Sequence, residues 1–143
     1  MNGPGYLLNS SNQNLRTGLL LLRITIFVVM FMWTIDKFMR PQHAAAVLSH
    51  FYNLSGIGFT AIRVIAAVEL VLVVLFLFGM FKTLTYGAML ILHAATTLVS
   101  YQQYLHPFEK VNLLFFAAWP MLAACIMLFL MRREDRLFSF GTG

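Results

Sequence analysis

Two side chains in this sequence call for chemistry: Glu69 and His93, each near the middle of a long apolar stretch. An ionisable group at the depth of a hydrocarbon core costs several kcal/mol on most scales, so each is expected to have a partner or a use. A carboxylate and an imidazole together can exchange protons with a bound molecule. Helical counting puts the midpoints of four apolar stretches near Val28, Leu70, His93 and Pro120, so Glu69 and His93 fall at one depth. They lie on consecutive stretches joined by a tight hairpin at Lys82. A hydrogen bond or ion pair between them would relieve both desolvation costs.

Tyr86, His93, Thr96, Thr97, Ser100 and Tyr104 share one face of the third stretch at helical spacing, a polar stripe along an apolar segment. Two readings fit it. The hydroxyls line a cleft leading to the Glu69 and His93 level, or they bond back to helix carbonyls and hold helices together. Trp119 and Pro120 occupy the same level in the fourth stretch. Pro120 has no N–H for the Phe116 carbonyl and is expected to kink the helix, while Trp119 packs either inside the protein or against a ligand. The expected ligand-binding set is therefore Glu69, His93, Trp119, Thr96 and Thr97, supported by Arg23, Lys37, Tyr86 and Ser100. Arg23 and Lys37, fourteen residues apart, share a face of the first stretch, although snorkelling accounts for each singly.

The elements that must carry these groups are four apolar stretches at about 17–38, 60–81, 83–104 and 111–131. At 1.5 Å per residue each reaches about 30 Å, the thickness of a bilayer's hydrocarbon core. Of the 143 residues 60% are apolar and 10% charged, far from the roughly 25% charged of soluble domains. Residues 1–143 thus read as one integral membrane domain, all-α, a four-helix transmembrane bundle, with no separate soluble catalytic module. Between the first two stretches, Pro41 precedes a segment, 42–52, with helical alternation, read as a short interfacial helix in the first external loop.

The net charge of +5 comes from Lys and Arg spread beside helix ends, which act as membrane anchors rather than a nucleic-acid surface. Residues 1–16 have no apolar core, so they are not read as a cleavable signal peptide. Arg16, Arg23, Lys82, Arg132, Arg133 and Arg136 fall on one side and Lys37, Arg40, Arg63 and Lys110 on the other. That bias predicts a multi-pass protein of the cytoplasmic (inner) membrane with both termini inside. Cys125 is the sole cysteine, which excludes an intramolecular disulfide and CxxC exchange. His43 and His50 share a face of the short helix but have no third ligand nearby in sequence, so no metal is expected. Haem is not expected either, since His106 lies about 20 Å along the helix from His93.

The stretches LLLLRITIFVVMFMWTIDKF, with Arg23 and Lys37, and VELVLVVLFLFGMFK, with Glu69, Gly79 and Lys82, resemble the DoxX-like family of small membrane proteins. Trp33, Thr34 and Ile35 stand where that pattern has a Gly before the lysine. The resemblance implies a four-helix bundle in the cytoplasmic membrane. It also implies association with redox systems, including quinone-linked oxidoreductases in which such a protein is a small partner subunit. Three functions follow: a redox-associated accessory subunit holding a quinone headgroup, a binding or transport protein for a small solute, and a structural or assembly factor whose polar groups fix helix register.

Overall fold

The computed structural model describes residues 4–141, with side chains from Asn12 onward. Among the described residues the chain is all-helical: α1 Pro4–Met39, α2 Pro41–Tyr52, α3 Phe59–Leu77, α4 Lys82–Val99, α5 Tyr101–Leu105, a 3₁₀ segment Asn112–Ala117 and α6 Ala118–Leu130. Three helical stretches are long and apolar enough to cross a membrane: Asn12–Met39, Phe59–Leu77 and Asn112–Leu130. Helix α4 falls short of that measure, because the polar stripe along it lowers its hydropathy.

Spacing explains the packing. On α1 the buried positions are Leu19, Arg23, Ile26, Met30 and Thr34; on α3 they are Ile62, Ala66, Glu69, Val73 and Phe76. Both sets repeat in steps of three and four, the seam pattern of helices packed side by side. On α4 the seam runs through Lys82, Tyr86, Met89, His93, Thr97 and Ser100. Helix α1 packs on α3, α3 on α4, α4 on α6 and α6 back on α1. Leu19, Ile26, Met30, Val73, Phe76, Met89, Cys125 and Leu128 form the apolar core between them. Outside the seams the helices are apolar and exposed, for example at Leu21, Val28, Met32, Val64, Val68, Val71, Leu84 and Ile91. Charged and polar side chains held inside the seams beneath apolar outer faces run against the arrangement of a water-soluble protein.

The observed boundaries differ from the expected ones for local reasons. Helix α3 stops at Leu77, short of the expected residue 81, because Gly79 turns left-handed (φ 59°). There Met80 N–H donates to Leu75 O at 3.0 Å and closes the helix end. The third stretch breaks at Ser100, so 83–104 becomes α4 followed by the short α5. The fourth begins as a 3₁₀ segment, and Pro120 lies in the first turn of α6, where a missing N–H costs nothing. A change of helix type, from 3₁₀ to α at Ala118, thus lies just before Pro120. Helix α2 forms where the short helix was expected, with Pro41 in its first turn and Asn53 left-handed (φ 54°) at its end.

Candidate functional site

Every Cα–Cβ bond in a helix tilts toward that helix's N-terminus, so long side chains reach about a turn back along their own axis. Two polar layers follow from this.

At the end of the molecule nearer α2, Lys37 of α1 reaches back down its helix while Glu69 of α3, running the opposite way, reaches up. They meet in an ion pair at 2.8 Å, with 25% and 10% of the respective side chains exposed. Lys37 Nζ also donates to Trp33 O at 3.4 Å. One turn deeper, the Trp33 ring tilts against the His93 ring, centroids 6.0 Å apart. His93 is buried; its Nε2 lies 3.0 Å from Ala118 O, to which it donates, while Nδ1 is buried without a hydrogen-bond partner. Burial pushes the Tyr52 phenol at the end of α2 above its usual range, and the nearby charge of Glu69 adds to the shift.

The expected pairing of Glu69 with His93 is therefore not made. Glu69 takes Lys37 and His93 takes a carbonyl of α6, because the N-terminal tilt carries the two side chains in opposite directions along antiparallel helices. Trp119 is 47% exposed and packs on Tyr104, centroids 5.5 Å apart, and the ring that meets His93 is that of Trp33. The hydroxyls of Thr96 and Thr97 each donate to His93 O at 2.8 Å, and that of Ser100 donates to Thr96 O at 2.9 Å. Of the two readings of the stripe, the geometry at these three residues is that of hydroxyls returned to their own helix.

At the opposite end, Arg23 and Tyr86 do come together, around a residue that sequence reasoning missed. Asp135, in the tail after α6, is fully buried: Arg23 Nη1 donates to its Oδ2 at 3.1 Å, and the Tyr86 hydroxyl donates to the same oxygen at 2.7 Å. Lys82 Nζ donates to Asp135 O at 2.6 Å, and Arg23 Nη2 donates to Leu137 O and to Phe138 O. Gly79 lies beneath the guanidinium, where a Cβ would come within 2.6 Å of Arg23 Nη1. A signal for Asp135 was present: the chain has five acids, and only Glu134 and Asp135 follow the last helix, at the end where a buried arginine needs a counter-charge.

A third polar group caps the corner between α1 and α2, where Asp36 binds Arg40 and His43, the latter with Nδ1 to Oδ2 at 2.6 Å. His50 lines an open cleft of about 350 Å³ with Gln102, Gln103, His106 and Glu109. A second opening, of about 330 Å³, lies between Arg16 and Leu137. Neither reaches Glu69 or His93. Among the described residues no cluster of three or more His, Cys, Asp or Glu has the makings of a metal site. Comparison of the chain with protein-family models, with curated proteins and with solved structures finds no match.

Proposed function

We propose that this protein is a DoxX-like, multi-pass component of the cytoplasmic (inner) membrane that holds a small quinone-like amphipathic ligand. In this reading α1, α3, α4 and the stretch Asn112–Leu130 form a four-helix transmembrane bundle, α2 lies at the external interface, and both termini are cytoplasmic. Supporting α4 as the fourth span, its exposed face is apolar at Leu84, Ile91 and Leu98 while Lys82, Thr85, Tyr86, His93 and Thr97 are buried.

The observation that carries the ligand reading is the layer of Lys37, Glu69, Trp33 and His93. It offers a partly exposed charged pair, a flat aromatic face and a buried imidazole nitrogen with no partner, all within two turns of α1. A quinone headgroup needs hydrogen-bonding groups, a surface to stack on and a route for protons. Glu69 and Lys37 bind and orient at the outer edge of such a site. His93 holds or moves a proton at Nδ1, and the redox chemistry belongs to the ligand and to a partner oxidoreductase subunit. The test is lipid extraction of purified protein: bound quinone is expected in the wild type and absent from a folded variant carrying Glu69→Gln and His93→Phe. Equal content in both defeats the proposal.

A structural or assembly role is the second reading, favoured by the hydroxyls of Thr96, Thr97 and Ser100, all engaged with carbonyls of their own helix. Under it, no quinone accompanies the wild type at all.

A further inference from the structure

The layer at the tail end has an unusual division of labour. Arg23, Lys82 and Tyr86 are buried in the helix seams; Lys82 Nζ donates to the Asp135 main-chain carbonyl, and the Tyr86 hydroxyl accepts from Arg23 and donates to the Asp135 carboxylate. Arg23 gives one bond to Tyr86 and all its others to Asp135, Leu137 and Phe138. The acceptors therefore come almost wholly from one irregular segment of four residues, which carries the single carboxylate facing two cations.

The fit is incomplete. Asp135 engages through Oδ2 alone, leaving Oδ1 buried and unpartnered, and Arg23 Nε is likewise buried and unpartnered. A guanidinium pairs best with a carboxylate through two parallel bonds, and this tether does not allow the second. The tail's apolar side chains add little hold: Leu137 is half-buried and Phe140 meets the Phe78 ring edge-on, centroids 6.0 Å apart, but Phe138 and Phe140 remain 77% and 75% exposed. Beyond the polar layer it is also tied by the hydrogen bonds from Ser139 Oγ to Gly79 O and from Phe140 N–H to Phe78 O. An electrostatic hold with an unfilled second bond is one that a better-fitting carboxylate can displace.

We propose that Arg23 and Tyr86, with the Lys82 ammonium beside them, form a carboxylate-binding site, filled here by the chain's own Asp135 and open to an external carboxylate when the tail lifts. The ligand is a small organic acid from the aqueous phase or the headgroup of a fatty acid in the membrane. The chemistry is the same for both, and the experiment separates them. The site is independent of the quinone layer at the other end of the seams.

The test uses the full chain in detergent. In Asp135→Ala, Arg23 Nη1 and the Tyr86 hydroxyl lose their carboxylate acceptor while Lys82 keeps the main-chain carbonyl of residue 135, and acetate is expected to raise the unfolding midpoint by about 4 °C or more over chloride at equal ionic strength. Laurate against lauryl alcohol makes the same comparison for a membrane source; a response to acetate alone assigns an aqueous acid, and a response to laurate alone a fatty acid. In the wild type, the effective carboxylate is expected to speed tryptic cleavage after Arg136, an exposed residue of the tail, at least threefold over its control. No midpoint shift with either carboxylate overturns the proposal. If Asp135→Ala does not fold, the wild-type cleavage decides, and equal rates with carboxylate and control overturn it.

Discussion

Removing either partner of the Lys37 and Glu69 pair strands a charge in a helix seam, and the structure sets the size of the effect. At 2.8 Å two unit charges attract by about 6 kcal/mol at an effective dielectric constant of 20. Desolvation of both groups and the residual exposure of the lysine remove much of that. A coupling of about 2 kcal/mol therefore remains, with each single substitution costing about 2 to 4 kcal/mol. Glu69→Gln, Lys37→Met and the double variant form the cycle, with stability read from reversible unfolding by SDS titration in mixed micelles. The double variant is expected to be less destabilised than the sum of the singles by about the coupling energy. Coupling below about 0.5 kcal/mol refutes the pairing. The matching cycle of Glu69→Gln with His93→Phe is expected to be additive, since His93 bonds to Ala118 O instead.

Three further outcomes follow from single sites. Gly79→Ala places a methyl 2.6 Å from Arg23 Nη1 at a positive φ and should destabilise by about 1 to 3 kcal/mol in the same assay. Thr97→Val removes a bond to His93 O and a longer contact, 3.5 Å, with His93 Nε2, both within its own helix, and should cost less than about 1 kcal/mol; a larger loss means that the hydroxyl holds the imidazole or serves another helix or a ligand. Cys125, buried in α6, should resist maleimide in folded protein and react fully in SDS.

Much of this arrangement was legible before the structure. The apolar stretches and the polar stripe on the third were visible in the sequence, whereas the packed faces of the first two, Leu19 to Thr34 and Ile62 to Phe76, were not, because those stretches are apolar nearly all round. Glu69 and His93, singled out for depth, and Arg23 and Tyr86, singled out for their helix faces, are buried in the seams, whereas Trp119, placed at the same depth, is 47% exposed. Partner choice was not legible from depth alone. Counting residues locates Cα atoms, whereas side chains lean about a turn toward their helix N-termini. Lys37, at the end of its helix, thereby meets Glu69, and Trp33 meets His93. Asp135 was hidden for another reason: in a tail rich in arginine it reads as part of a topology signal, and only the return of the tail over Gly79 buries it. The mid-helix position of Pro120 was likewise misleading, because the switch from 3₁₀ to α at Ala118 makes it a first-turn residue.

The ligand layer is open to direct observation through its own tryptophan. The chain has two, and Trp119→Phe leaves Trp33, 6.0 Å from His93, as the sole reporter. Titration of that variant with a short-chain quinone in detergent should quench Trp33 fluorescence to saturation at one site per chain. The quenching should become weak and linear when Glu69→Gln and His93→Phe are added. Linear quenching of equal slope in both proteins would mean that the layer holds no quinone-like ligand.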